Sequence, residues 1–107
     1  VGGCTNLIGL KISGKQKRSI AKLDLSKNTE LNWLNCGGNQ FSQLDLSNNT
    51  KLTTLYCWEN QLSELDLSNN ITLQIAYCTN NPLETIYVFE GYSFSLYKPE
   101  TTQVVVK

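Results

Sequence analysis

Three cysteines, Cys36, Cys57 and Cys78, stand 21 residues apart, and the strings around them align without a gap: LNWLNCGGNQF, LTTLYCWENQL and LQIAYCTNNPL. Between them FSQLDLSNNTKL and LSELDLSNNITL repeat at the same interval, with IAKLDLSKNTEL one period earlier and LETIYVFEGYSF one period later in degraded form. Such a period excludes a single closed core, because each unit keeps an apolar edge exposed until a neighbouring copy covers it. A half-unit, CTNLIGLKISG, places Leu7, Leu10 and Ile12 where Leu31, Leu34 and Cys36 stand 24 residues later. The three additional residues fall within 14–19, a longer basic turn.

Leucine (16) and asparagine (12) make up more than a quarter of the 107 residues, as expected where one residue fills a stacked core and the other satisfies backbone at tight turns. Each unit carries two short L-x-L or L-x-C segments in which apolar and polar residues alternate, so each offers two short strands with one face inward. Stacking at about 4.8 Å then builds two parallel sheets around a thin core. Its expected columns are Leu10, Leu34, Leu55, Ala76; Ile12, Cys36, Cys57, Cys78; Leu23, Leu44, Leu65, Ile86; and Leu25, Leu46, Leu67, Val88. Two asparagine columns, Asn39/Asn60/Asn81 and Asn28/Asn49/Asn70, follow the strands at the inward turns, where an amide can both donate to and accept from orphaned backbone groups. The triplets Asn48-Asn49-Thr50 and Asn70-Ile71-Thr72 also read as glycosylation acceptors, but the repeat already explains them.

The pattern L-x-x-L-x-C-x-x-N-x-L resembles the leucine-rich-repeat consensus, and its alternation with L-x-x-L-D-L-S-x-N-x-x-L is similar to the nested, short-period form of that family. The resemblance covers roughly residues 4–88. Cys4 occupies the column of Asn28, Asn49 and Asn70, a substitution the family accepts. The resemblance implies a β-rich solenoid with few or no helices, and an extracellular or cell-surface protein of the kind found in gut-dwelling anaerobic bacteria.

After Val88 the repeat fails. Tyr92, Phe94 and Leu96 alternate with Ser93 and Ser95, a Lys98-Pro99-Glu100 turn follows, and Val104–Val106 make a second strand-like run. This predicts a solenoid over 1–88 closed by a capping β-hairpin over 89–107, since an open solenoid end exposes both core and strand edges. The Val1-Gly2-Gly3 end has no comparable cap, so that end is expected either to have lost upstream sequence or to meet something.

The absence of histidine and methionine removes Ser/His/Asp and Cys/His catalysis, His-ligated zinc and flexible Met-lined grooves. A net charge of zero, a pI near 6.4 and a mean hydropathy of −0.26 argue against a nucleic-acid partner, and no apolar run approaches the ~18 residues of a membrane span. No cofactor is implied. Cys36, Cys57 and Cys78 should lie side by side in one inward column as free, buried thiols rather than converge on a tetrahedral metal, although a bridge between adjacent coils is geometrically allowed. Asp24, Asp45 and Asp66 form an outward column that would suit calcium, but pairing with Ser26, Ser47 and Ser68 accounts for the D-L-S pattern without a metal.

The outward positions of the cysteine-bearing sheet are not dictated by the repeat. They read Gly9, Lys11, Ser13; Trp33, Asn35, Gly37; Thr54, Tyr56, Trp58; and Ile75, Tyr77, Thr79. Trp33, Asn35, Tyr56, Trp58 and Tyr77 thus form the candidate ligand-binding surface, with Tyr56 and Tyr77 stacked, Trp58 alongside and Trp33 diagonal. Rigid exposed aromatics are enriched in binding sites, and a protein or a glycan would suit them. Charge is uneven: residues 1–29 carry six basic residues against one acidic, a net of +5, and residues 30–107 carry −5. The sequence therefore reads as a non-catalytic binding module recognising a protein or glycan. The rival reading is a structural spacer or adhesion segment of a larger bacterial surface protein, and the oligomeric state is left open.

Overall fold

The computed structural model describes residues 6–12 and 22–107. Cys4, Ser13, the turn at 14–19 and the basic residues Lys15, Lys17 and Arg18 lie outside the described residues. The chain winds as a stack of about four coils, and its described residues form strands and turns with no helix.

One sheet is built from β1 (Gly9–Lys11), β2 (Trp33–Asn35), β3 (Thr54–Tyr56), β5 (Ile75–Tyr77) and β7 (Ser95–Tyr97), all parallel and in that order. Its register pairs Leu10 with Leu34, Leu34 with Leu55, Leu55 with Ala76 and Ala76 with Leu96, so the expected apolar column forms and extends one coil further. A second sheet holds β4 (Glu64–Asp66), β6 (Thr85–Val88) and β8 (Gln103–Val106). Between them lies the predicted slab, in which Leu34, Leu55, Cys36, Cys57, Cys78, Leu67 and Val88 are fully buried.

The second sheet is narrower than the repeat suggests. Leu25, Leu44 and Leu46 are buried in their expected columns and Leu23 is partly so, but their segments carry no ladder. Asp24 and Asp45 each accept the backbone N–H of the serine two residues on, as Asp66 does at the end of β4, where a ladder nevertheless forms. A ladder forms where the neighbouring coil places the β-branched and aromatic T-I-Y-V of β6 opposite E-L-D, and β6 pairs with both β4 and β8.

The segment 89–107 also departs from expectation. Instead of a hairpin, β7 joins β5 and β8 joins β6, each in parallel. The solenoid's two open sheet edges supply more backbone partners than a lone two-stranded hairpin would, so the chain continues as a further coil. Thr102 stands 21 residues after Asn81 and is buried, donating its Oγ1 hydrogen to Leu83 O at 2.8 Å.

The asparagine columns tie the coils together. Asn60 Nδ2 donates to Cys36 O of the preceding coil at 3.1 Å and to Cys57 O of its own at 3.0 Å. Asn81 repeats this with Cys57 O and Cys78 O. In return Asn60 Oδ1 accepts from Phe41 N, and Asn81 Oδ1 from Asn60 N and Leu62 N. In the other column Asn49 Nδ2 reaches Leu25 O and Asn28 O, and Asn70 Nδ2 reaches Leu46 O and Asn49 O. Because Asn70 is fully buried, its triplet cannot accept a glycan, whereas Asn48 is exposed.

After β2, β3 and β5 the chain passes through a left-handed residue, again 21 apart: Gly38 (φ 73°), Glu59 (φ 55°) and Asn80 (φ 57°). Glycine and asparagine enter this region readily, and glutamate does so at a cost of order 1 kcal/mol.

The thiols of Cys57 and Cys78 lie 3.5 Å apart. Burial pushes the Cys36 thiol up to about 12, and its hydrogen bond to Cys78 together with burial raises Cys57 well above the ordinary range. Cys36 and Cys57 therefore stay protonated at neutral pH, and burial closes all three thiols to reagents. Native protein treated with a thiol reagent should leave these three cysteines unlabelled until denaturant is added, as read by peptide mass; quantitative native labelling would contradict the buried column. Cys57→Ser should lower stability by about 1–3 kcal/mol in denaturant titrations, through a hydroxyl left in a dry column.

Candidate functional site

The register of the first sheet brings Lys11, Asn35, Tyr56, Tyr77 and Tyr97 into one outward column. Coil spacing matches the thickness of an aromatic ring, so the three tyrosines stack: Tyr56 on Tyr77 at 5.0 Å and 13°, Tyr77 on Tyr97 at 4.5 Å and 7°. The Tyr56–Tyr77 stack follows from the repeat. Tyr97 does not, because its coil is one residue shorter than the period and breaks the alignment; its alternation in Ser93–Tyr97 was the available signal.

Each of the two tryptophans reaches back over a glycine of the preceding coil. A β-carbon on Gly9 would collide with the Trp33 indole, and one on Gly37 would lie 2.7 Å from Cδ2 and 2.8 Å from Cζ2 of Trp58. Only glycine leaves room for either ring. Trp33 keeps 39% of its surface exposed, Tyr97 keeps 47%, and Tyr56, Trp58 and Tyr77 are half-buried. Asn35 is also half-buried, and its Oδ1 accepts from Gly37 N at 3.3 Å, so its side chain supports the turn beneath Trp58.

On the other sheet the aspartate column is committed to serines. Asp45 Oδ1 accepts from Ser47 N at 3.0 Å and Ser47 Oγ at 2.6 Å, and Asp66 Oδ1 from Ser68 N and Oγ at 2.9 and 2.5 Å. The Ser47 hydroxyl holds the Asp45 carboxyl below the usual carboxylate range. Burial opposes ionisation of Asp66, yet hydrogen bonds from Lys107 and Ser68 leave it lowered as well. Lys107 Nζ meets Asp66 Oδ2 at 2.8 Å and sits 4.7 Å from the Tyr87 ring centre. Among the described residues no three His, Cys, Asp or Glu side chains converge as metal ligands. No helix of the described residues is long and apolar enough to cross a membrane.

Two solved structures share this architecture. The functional domain of InlJ from Listeria monocytogenes, described as including a cysteine ladder, is 33% identical with a TM-score of 0.67, the alignment covering 80% of this chain and 21% of that one. An internalin, InlF, of the same species is 23% identical with a TM-score of 0.64 over 94% of this chain and 35% of its own. The chain thus spans about a fifth to a third of the length of these proteins. No protein-family model matches the chain, and no curated protein does.

Two outcomes check this geometry. Gly37→Ala should lower stability by about 1–3 kcal/mol through overpacking and shift tryptophan emission as Trp58 is displaced; an unchanged spectrum and midpoint would contradict the seating of the ring. Millimolar calcium should leave the melting temperature unchanged, because an ion bound only to the native state would raise it by mass action. A rise of several degrees that Asp45→Asn abolishes would restore the calcium reading.

Proposed function

We propose that this chain, a member of the leucine-rich-repeat family, is a non-catalytic module that binds a protein partner through the outward face of its first sheet, at the cell surface or outside the cell. The observation that carries this reading is the difference between the two outward faces. The D-L-S positions repeat from coil to coil, as scaffold does, whereas the other face gathers unlike residues with Trp33, Tyr56, Trp58, Tyr77 and Tyr97 together. Rigid aromatics give contact area at small entropic cost. The likeness to internalins supports an interaction module and an extracellular setting.

A protein suits this face better than a glycan. Sugars stack on ring faces, and in the tyrosine column neighbouring rings cover both faces of Tyr77 and one face each of Tyr56 and Tyr97. Toward a partner the column presents ring edges and phenol hydroxyls, which match the mixed apolar and polar surface of a protein.

A structural spacer is the second reading, favoured by one observation: both indoles cover a glycine of the chain's own preceding coil. An array of extracellular proteins and glycans, probed with the wild type and with Trp58→Ala and Tyr56→Ala, separates the two. Each substitution should weaken a protein partner by about 2 kcal/mol with little change in melting temperature. Alanine at the exposed Gln43 or Glu64 on the opposite side should be silent. A partner that responds to Gln43 or Glu64 and ignores Trp58 would refute the assignment, and stability loss at Trp58 with no partner found would favour the spacer.

A further inference from the structure

Glu59 stands out in the turn column of Gly38, Glu59 and Asn80. It alone places a long charged side chain in the left-handed region, where strain persists chiefly when something else is gained. Nothing in the fold is gained by the carboxylate itself. Glu59 is exposed, and the ion pairs among the described residues are Lys51–Glu30 and Lys107–Asp66. Its backbone N–H donates to Thr79 O at 2.9 Å, a bond any residue could make.

Its neighbour in sequence is Trp58, whose indole lies across Gly37 and reaches the Gly38 turn, where a β-carbon would sit 3.7 Å from Cζ3. One side of that ring is closed by backbone. Glu59 follows Trp58 directly in the chain, and its exposed side chain leaves the left-handed turn next to the residue that carries the ring. An indole face beside an unpaired carboxylate is the pairing that attracts a cation, by the ring quadrupole and by direct charge. Residues 30–107 carry a net −5, two of their three lysines are committed to ion pairs, and Lys98 Nζ bonds Pro99 O at 3.4 Å.

We propose that Trp58 and Glu59 form the specificity point of the binding face, taking an arginine side chain from a basic segment of the protein partner. A guanidinium stacks on the indole while its edge donates to the carboxylate, a geometry that an ammonium reproduces less well. This rests on the aromatic face being the binding surface. It adds the sign of the partner and one residue, Glu59, that the repeat and the aromatic pattern alone do not single out.

The test titrates hexa-arginine, hexalysine and hexaglutamate into isotope-labelled protein at low salt, following the Trp58 and Trp33 indole N–H signals. Hexa-arginine should shift Trp58 before Trp33 and bind more tightly than hexalysine, and hexaglutamate should shift neither. Glu59→Gln should weaken the hexa-arginine interaction at least threefold. Glu59→Gly should weaken it equally while raising the melting temperature, since glycine relieves the turn. Unchanged binding by Glu59→Gln, shifts that centre on Asp24, Asp45 and Asp66, or an array partner that is a glycan would each overturn the proposal. If Trp58→Ala abolishes the array partner while Glu59→Gln leaves it intact, the binding face stands and the arginine site falls. If neither substitution alters that partner, both readings fall.

Discussion

The hydrogen bonds that a buried asparagine amide makes to two successive coils are the constraint on which the rest depends. At each inward turn carbonyls such as Cys36 O and Cys57 O point away from any strand partner, and burying them unpaired would cost about 1–3 kcal/mol apiece. Asn60 and Asn81 satisfy them in pairs, one from the preceding coil and one from their own. The turn's own N–H groups, Phe41 N and Asn60 N, find their acceptor on the asparagine of the next coil, so a turn is complete only when that coil is in place. The amide also fixes the inter-coil distance, which in turn sets the register of the leucine columns and holds the thiols of Cys57 and Cys78 at contact.

What this constraint governs was legible in the residues, and what it does not govern was less so. The columns of Leu34, Leu55 and Ala76, of the three cysteines and of both asparagine series are determined by a strict 21-residue interval, so their partners follow from counting. The final coil keeps the interval at Thr102 but loses a residue before Tyr97, which hid both the parallel continuation of the sheets and the third tyrosine of the stack. The narrow second sheet was hidden for another reason. D-L-S has the alternation of a strand in all three coils and the same Asp-to-Ser hydrogen bond in each, yet only Glu64–Asp66 pairs, beside the β-branched and aromatic residues of β6. The seats of the tryptophans were hidden because they depend on an absent side chain one coil away, at Gly9 and Gly37.

Coil spacing also decides what an outward side chain can offer. A tyrosine following a tyrosine at the same position has its face covered and its hydroxyl left outward, while a tryptophan beside a glycine settles onto backbone and keeps a face turned outward. The same geometry thus makes two kinds of surface from similar residues: a row of ring edges along Tyr56, Tyr77 and Tyr97, and isolated indole planes at Trp33 and Trp58. Each indole also shields the backbone beneath it, so stabilisation and recognition are not exclusive roles. A residue can cover its own glycine on one side and a partner on the other.

The left-handed turn column shows where these roles part. At Gly38 and Asn80 the residue type agrees with the backbone, and no account beyond the turn is required. At Glu59 it does not agree, and neither core packing nor a salt bridge compensates. In a stack whose interior is as repetitive as this one, departures from the repeat carry more information than the repeat, because the coil would accept the consensus residue at no loss of fold. Those departures converge: Trp58, Glu59 and the glycine pair beneath them belong to two adjacent coils on a single face. The aspartate column on the other sheet, which has more charge, has none of this variation, and its carboxylates already have donors from their own chain.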